Sequence, residues 1–223
     1  MRKLNVSAMV SLDGVMQAPG GPEEDPTGGF KFGGWTWPFG DDVTREAIRE
    51  LFAKPFDLVL GRKTYEIFAA YWPHQEGGPV DAIAKPFNKA RKYVATSSRG
   101  PLSWNNAVAI HDVAADIARL KKEDGPDLLV QGSSNLIQTL LQHDLVDSIN
   151  LRIYPLLLGK GKRLFGDGTK PETLKLESSK VSPSGVMIQT YTPAGAVKLG
   201  SFTDISGPSP AELARRERMK REG

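Results

Sequence analysis

Residues 56–66 read FDLVLGRKTYE. Phe56 to Leu60 is a short, mostly apolar run, the kind that forms a strand buried on both faces of a sheet. It passes without a spacer into Gly61-Arg62-Lys63-Thr64, and a helical segment follows from Tyr65 to Ala70. A strand that turns at once into a helix is half of a crossover unit, and crossovers join parallel strands. Two more strands end in turns of small residues that are likewise expected to open helices. Lys92 to Thr96 ends in Thr96-Ser97-Ser98-Arg99-Gly100, and Asp127 to Val130 ends in Gln131-Gly132-Ser133-Ser134. The second of these runs into a helix from Ser133 to Gln142, with Leu136, Ile137, Leu140 and Leu141 on one side.

The same alternation extends in both directions. Leu4 to Leu12 reads as a strand closed by the turn pair Asp13-Gly14. An irregular stretch from Gly14 reaches to Gly40 and holds eight glycines, both ends included, with Trp35, Trp37 and Phe39 near its end. A loop of that length inside a domain is uncommon and suits a lid or binding loop, and its tryptophans need something to pack on. Asp41 to Lys54 is helical, with Val43, Ala47, Ile48, Leu51 and Phe52 at helix spacing. Val80 to Ala90 and Val113 to Lys122 are further helices, Ala107 to Ile110 a brief strand, and Val146 to Tyr154 a long one. Thr173 to Val181 and Gly185 to Thr192 alternate as a terminal hairpin. The expected fold is α/β: a mostly parallel sheet between two helical layers, closed by an antiparallel hairpin.

The domain is expected to span residues 1–192. Residues 193–223 form a Gly/Pro/Ser-rich linker and a basic helix. From Pro208 to Gly223 five basic residues face three acidic ones, so most of the net charge of +3 lies there. A nucleic-acid binder carries a basic face across its fold, so a solvated tail is the simpler reading. With no cysteine in 223 residues, disulfides, zinc–thiolate sites and cysteine nucleophiles are excluded, and a reducing cytoplasm is the expected location. No apolar run approaches the roughly 18 residues that span a membrane. His74, His111 and His143 are scattered without metal-ligand spacing, so no metal site is expected.

In an open α/β sheet, ligands bind outside the carboxyl ends of the strands. Helix N-termini there present free N–H groups and a positive dipole end, which favour phosphate. Arg62 and Lys63 add charge; Thr64, Ser97 and Ser98 add hydroxyl donors. The three turns together suit a ligand with several phosphates. Asp42 follows the aromatic loop at a helix start. Walled by Trp35, Trp37 and Phe39, its carboxyl would be desolvated and hold a proton near neutrality. The alternative is that Asp41 and Asp42 only cap the helix.

Ser11-Leu12-Asp13-Gly14, Trp37-Pro38 before Asp42, Gly61 to Glu66, Thr96-Ser97-Ser98 and Gln131-Gly132-Ser133 occur in an order that resembles the dihydrofolate reductase fold. Tyr154-Pro155-Leu156-Leu157-Leu158-Gly159-Lys160-Gly161, with Leu164-Phe165, is similar to the reductase domain of bifunctional riboflavin-biosynthesis proteins. The resemblance covers about residues 2 to 192 and implies a stand-alone NADPH-dependent reductase of a pterin-like or aminouracil-like heterocycle. It implies that Gly61, Arg62, Lys63 and Thr64 hold cofactor phosphates, with Arg62 on the 2′-phosphate. Thr96, Ser97 and Ser98 match a second phosphate-side turn. Gly132, Ser133 and Ser134 match the segment beside the pyrophosphate, often with a cis peptide. Asp13 and Gly14 match the start of the loop over the nicotinamide, and Asp42, with Asp41 as fallback, the substrate-protonating acid. Departures are Ser133 for the second glycine of a pair, Asn135 where folate reductases often carry a basic residue, and Val15 after Ser-Leu-Asp-Gly. The family's dimers, with apolar Leu151, Ile153 and Leu156 to Leu158 near the last strands, make a homodimer the expected assembly. The rivals are folate-type reduction, a nucleotide-binding module without turnover, and a nucleic-acid role for the tail.

Overall fold

The computed structural model describes residues 1–75, 77–78, 80–201 and 207–222. Its strands are β1 (Leu4–Ser11), β2 (Phe56–Gly61), β3 (Lys92–Ala95), β4 (Ala107–Ile110), β5 (Asp127–Val130), β6 (Ser148–Tyr154), β7 (Leu174–Val181) and β8 (Met187–Pro193). They form one sheet in the order β4-β3-β2-β5-β1-β6-β8-β7. The first six are parallel to one another, while β8 and β7 close one edge antiparallel. The helices are α1 (Asp42–Phe52), α2 (Arg62–Tyr71), α3 (Asp81–Lys89), α4 (Val113–Lys122), α5 (Ser134–Gln142) and α6 (Pro210–Glu222).

The period-two alternation of β2 divides the core. Leu58 and Leu60 pack with Tyr65 of α2 and Phe87 of α3. Val59 packs with Ile117 and Leu120 of α4 and Ile137 and Leu140 of α5. Every residue of β2 is buried, which is why that segment reads as mostly apolar rather than alternating, its one charge, Asp57, being paired with Arg2. The sheet thus lies between two helical layers, as the sequence implies.

Several expectations need correction. The turn Thr96-Ser97-Ser98 opens no helix; the chain goes on to β4, which pairs parallel to β3. Trp35 is buried and its indole N–H donates to the Gln17 carbonyl at 2.8 Å, but Trp37 is 86% exposed and packs on nothing comparable. The apolar residues expected at a dimer edge mostly serve the protomer's own core. Leu151 and Leu158 are buried, Ile153 and Leu156 pack on core clusters, and Leu157 alone of the set is exposed. Helix α6 buries no residue, and Arg215 and Arg216 pair with its own Glu212. Residues 202–206 of the linker lie outside the described residues. Among the described residues no helix is long and apolar enough to cross a membrane.

One buried cation makes stability pH-dependent. Lys92 on β3 is 0% exposed. Its Nζ donates to the Asn88 carbonyl at 2.9 Å and lies 4.2 Å from the Trp104 ring centroid. Burial pushes its ammonium down to about 8. The unfolded chain holds this proton up to about pH 10.4, so between those values it binds more protons than the folded one, and stability rises with pH. That rise amounts to at most about 3 kcal/mol. Lys92→Met should lie within about 1 kcal/mol of the parent at pH 7 and lack the alkaline rise. Urea unfolding of both proteins at neutral and alkaline pH measures this; parallel curves at the two pH values would remove Lys92 as the cause.

Candidate active site

The carboxyl ends of β2 and β5 lie side by side, and their turns touch. The Gly61 amide donates to the Gly132 carbonyl at 3.2 Å. A Cβ on Gly61 would lie 2.4 Å from the Ser133 Oγ and 3.1 Å from its Cβ. Gly132 has φ +125°, and a Cβ there would stand 3.1 Å from the Thr64 Oγ1. The Gly132–Ser133 peptide is cis. Glycine suits both points: at Gly61 the Ser133 residue occupies the space a side chain would need, and at Gly132 the backbone holds a positive φ.

The helices that start at this junction differ from two of their neighbours. Helices α1 and α4 begin with Asp41 and Asp112, whose carboxylates accept from their first-turn amides. Helices α2 and α5 follow Gly61 and Ser133, neither of which gives a side-chain cap, and neither has an acid in its first turn. Both N-termini therefore lack a side-chain cap for their first-turn N–H groups.

A cavity of about 560 Å³ opens beside the junction. Arg62, Lys63, Thr64, Gly132, Ser133 and Ser134 line it from the two turns, Ser7 and Met9 from β1, and Arg152 from β6. Apolar walls come from Ile48, Phe52, Ile67, Phe68 and Trp72. The loop after β1 closes one side with Met16, Gln17, Pro19, Gly20, Glu24 and Asp25. A second cavity of about 280 Å³ adjoins it, lined by Gly61, Arg62, Thr96, Ser97, His111, Ser133, Asn135 and Thr139. Arg62 and Ser133 face both spaces. Ser98 lines neither; its Oγ accepts from the Gly100 amide at 3.1 Å.

The buried side-chain atoms without a hydrogen-bond partner among the described residues are Arg62 Nη1, Gln131 Nε2 and Arg152 Nε. All three are donors, and all three residues line the larger cavity. Buried donors are nearly always paired in folded proteins, so three around one cavity mark a place for ligands rich in acceptors.

Two carboxyl groups in the closing loop are driven apart. Glu24 is half-buried, and desolvation pushes its carboxyl above the ordinary glutamate value. Bonds from the Gly20 and Gly21 amides and the charge of Asp25 act beside it without reversing the direction. Both amides donate to Oε2, at 2.6 and 3.2 Å. For Asp25, burial is outweighed by hydrogen bonds from Lys162 and Thr27, and its carboxyl lies below the usual range. Such a pair, one acid held protonated longer and one ionised, is a common signature of a catalytic acid.

The acids expected from sequence stand elsewhere. Asp42 projects into solvent with its side chain 97% exposed and pairs with Arg45. It is not walled by Trp35, Trp37 and Phe39, because the first residue of an α-helix turns outward here while Asp41 turns in. Asp41 is the cap: it accepts from the Thr44 amide at 2.8 Å and from the Ser184 amide at 2.9 Å. Desolvation opposes its ionisation, but these amides and the hydroxyls of Ser184 and Ser182 outweigh that and hold the carboxyl well below the usual range. Neither residue lines either cavity. Asp13 and Gly14 also stand back from the cleft. Asp13 accepts from Ser11 Oγ and from the Leu158 and Gly159 amides, fixing the chain to the segment after β6. The cavity wall begins two residues later, at Met16.

Glu24, Gln131, Arg152 and Lys162 were not singled out by sequence reasoning. Glu24 had a faint signal, the run Glu23-Glu24-Asp25 inside a glycine-rich loop. Arg152 had a clearer one, a charge in the middle of the apolar strand SINLRIY.

A parallel sheet closed by an antiparallel hairpin, with a cleft where two uncapped helices meet, defines the dihydrofolate reductase-like class. Solved structures share the fold. Dihydrofolate reductase from Enterococcus faecalis complexed with NADP(H) superposes with a TM-score of 0.55 at 16% identity, over 86% of this chain and 96% of that one. A pyrimidine reductase-like protein from Corynebacterium diphtheriae gives 0.53 at 15% identity, over 86% and 92%. Within this class the chain belongs to the RibD C-terminal domain family, whose model matches residues 2–188. The Bacillus subtilis protein YyaP is 28% identical over 197 residues, 85% of this chain and 94% of that one. A Shewanella sp. PV-4 protein assigned to riboflavin biosynthesis shares the fold with a TM-score of 0.56 at 21% identity, over 86% of this chain and 99% of that one.

Proposed function

We propose that the chain is an NADPH-dependent oxidoreductase that reduces a C=N or C=O bond in a pterin-like or aminouracil-like heterocycle. The observation that carries this reading is the pair of unpaired buried donors on Arg62 and Gln131, at the two turns where uncapped helices begin. The residues of these two turns fit a dinucleotide. The N–H groups at Arg62 to Thr64 and at Ser133-Ser134 would hold the pyrophosphate. Arg62, Thr96 and Ser97, at the second cavity, would hold the 2′-phosphate. When bound, NADPH supplies the hydride.

The protein's own contribution is orientation, exclusion of water and a proton. Phe52, Phe68 and Trp72 give the cavity an apolar wall that suits a flat ring. Glu24 holds a proton closer to neutral pH than an ordinary glutamate and can deliver it to the substrate atom that gains negative charge as hydride arrives. Among the described residues its hydrogen bonds fall on Oε2, so Oε1 is left for the substrate. This raised acid favours an enzyme over a binding module without turnover. The self-paired arginines of α6 favour a small-molecule partner over nucleic acid.

The test is a titration with NADPH followed by a panel of dihydropterins, dihydrofolate and aminouracils. NADPH should bind in the micromolar range, and at least one heterocycle should drive its oxidation. Binding without oxidation by any compound would leave only the module reading; no binding would overturn both.

A further inference from the structure

Arg152 stands in the interior of the sheet. On β6 it pairs with Met9 of β1 on one side and Ile188 of β8 on the other. Ile149 and Leu151, its neighbours of opposite parity, join the core on one face, with Ile153 packed against them; Arg152 points to the other, where its residue lines the larger cavity with Ser7 and Met9. It is 4% exposed. Nη2 donates to the Ser7 Oγ at 2.9 Å, and Nε finds no acceptor. No described carboxylate pairs with it. An isolated buried cation is costly, and proteins retain one when a charge of opposite sign meets it.

The cofactor's phosphates do not supply that charge. Adjacent strands lie about 4.8 Å apart. In the order β2-β5-β1-β6, Arg152 is therefore about 10 Å sideways from the turn after β5 and about 14 Å from the turn after β2. It lies on the opposite side of the cavity from the phosphate-binding turns.

We propose that Arg152 is the specificity-determining residue of this site and that it engages a planar oxyanion, a carboxylate or its equivalent, on the compound that is reduced. This rests on the reading of the cavity as a substrate site. A guanidinium presents a flat fork of donors that fits a carboxylate in two places. Ser7 holds one arm of that fork and fixes its plane. The unpaired Nε donor fits an acceptor beside it. A site floored by a cation selects an anionic ring compound over a neutral one of the same shape.

The test uses isothermal titration with three probes: orotate, uracil and inorganic phosphate. Orotate and uracil share a ring and differ by the carboxylate. Each is titrated into the full chain with and without saturating NADPH, whose own affinity is measured first. Orotate should bind on the order of tenfold or more tighter than uracil, and phosphate should bind more weakly than orotate. Arg152→Gln should erase the orotate preference while NADPH affinity stays unchanged. Arg152→Lys, which keeps charge in case the neutral variant does not fold, should retain only part of it because a point charge lacks the fork. Equal binding of orotate and uracil, phosphate binding tighter than orotate, or a preference undiminished in either variant would overturn the proposal. Failure of NADPH to bind would instead sink the reductase reading, since the orotate comparison made without cofactor still scores Arg152.

Discussion

Glu24→Gln should lower NADPH-dependent turnover on the order of 100-fold or more, with the fold and the affinity for NADPH retained. The amide is nearly isosteric and can still accept from the Gly20 and Gly21 amides, so the loop stays in place. What it lacks is a proton to give near neutral pH. Desolvation raises the Glu24 carboxyl above its ordinary value, so the protonated form persists to higher pH. The parent's rate should therefore fall as pH climbs through that raised value, and the Gln variant should lose that limb of the profile. Asp42→Asn is the contrast. Its side chain is 97% exposed and pairs with Arg45, so turnover should be unchanged. Asp41→Asn should lower stability, through its contacts to Thr44 and Ser184, without touching the pH profile. Steady-state rates across pH on a compound the parent reduces decide the matter. Full activity in Glu24→Gln, or a collapse in Asp42→Asn, would return the role of acid to the helix start.

Arg62→Ala should weaken NADPH by roughly 10- to 100-fold and NADH by far less. Arg62 is pre-oriented: its Nε donates to Glu66 Oε1 at 2.6 Å, one turn along α2. Its Nη1 is buried and unpaired, at the boundary of the two cavities. A charge-assisted bond to an extra phosphate is made by NADPH alone. The Glu66 pair is on the surface and contributes little to stability, so the variant should fold normally. Fluorescence titration with each dinucleotide gives the ratio. Equal losses for both would show that Arg62 meets only groups the two cofactors share.

The fold was legible because each element carried a local signal. The mostly apolar run at Phe56 to Leu60 read as a strand covered on both faces, and its direct passage into a helix pointed to a parallel crossover. The hairpin at the end read as alternation, but its burial does not alternate: β7 is exposed along nearly its whole length and β8 is half-buried almost throughout. The turns at Gly61 and Gly132 were legible for the same reason: glycine beside a strand end reports close backbone approach, and the structure has Gly61 and Ser133 in contact there. Two errors share a different origin. Thr96-Ser97-Ser98 looked like a third helix start because small polar residues serve turns and caps alike. The order Asp41-Asp42 did not reveal which carboxylate turns inward, since that depends on the angle at which Ser184 from the distant β7–β8 turn meets the helix.

Local pattern by itself therefore determined the layers, the crossover direction and the two glycine turns, because these follow from periodicity and backbone sterics within a few residues. Which groups share the cavity was decided only by tertiary structure. Glu24 lies in a loop without periodicity, and its carboxyl is raised by burial that no neighbour in sequence provides. Arg152 is 145 residues from the Ser7 hydroxyl it meets, and that meeting exists because β6 pairs with β1 in register. Desolvation and charge are properties of a site's surroundings in space, and those surroundings are assembled from segments that are far apart along the chain.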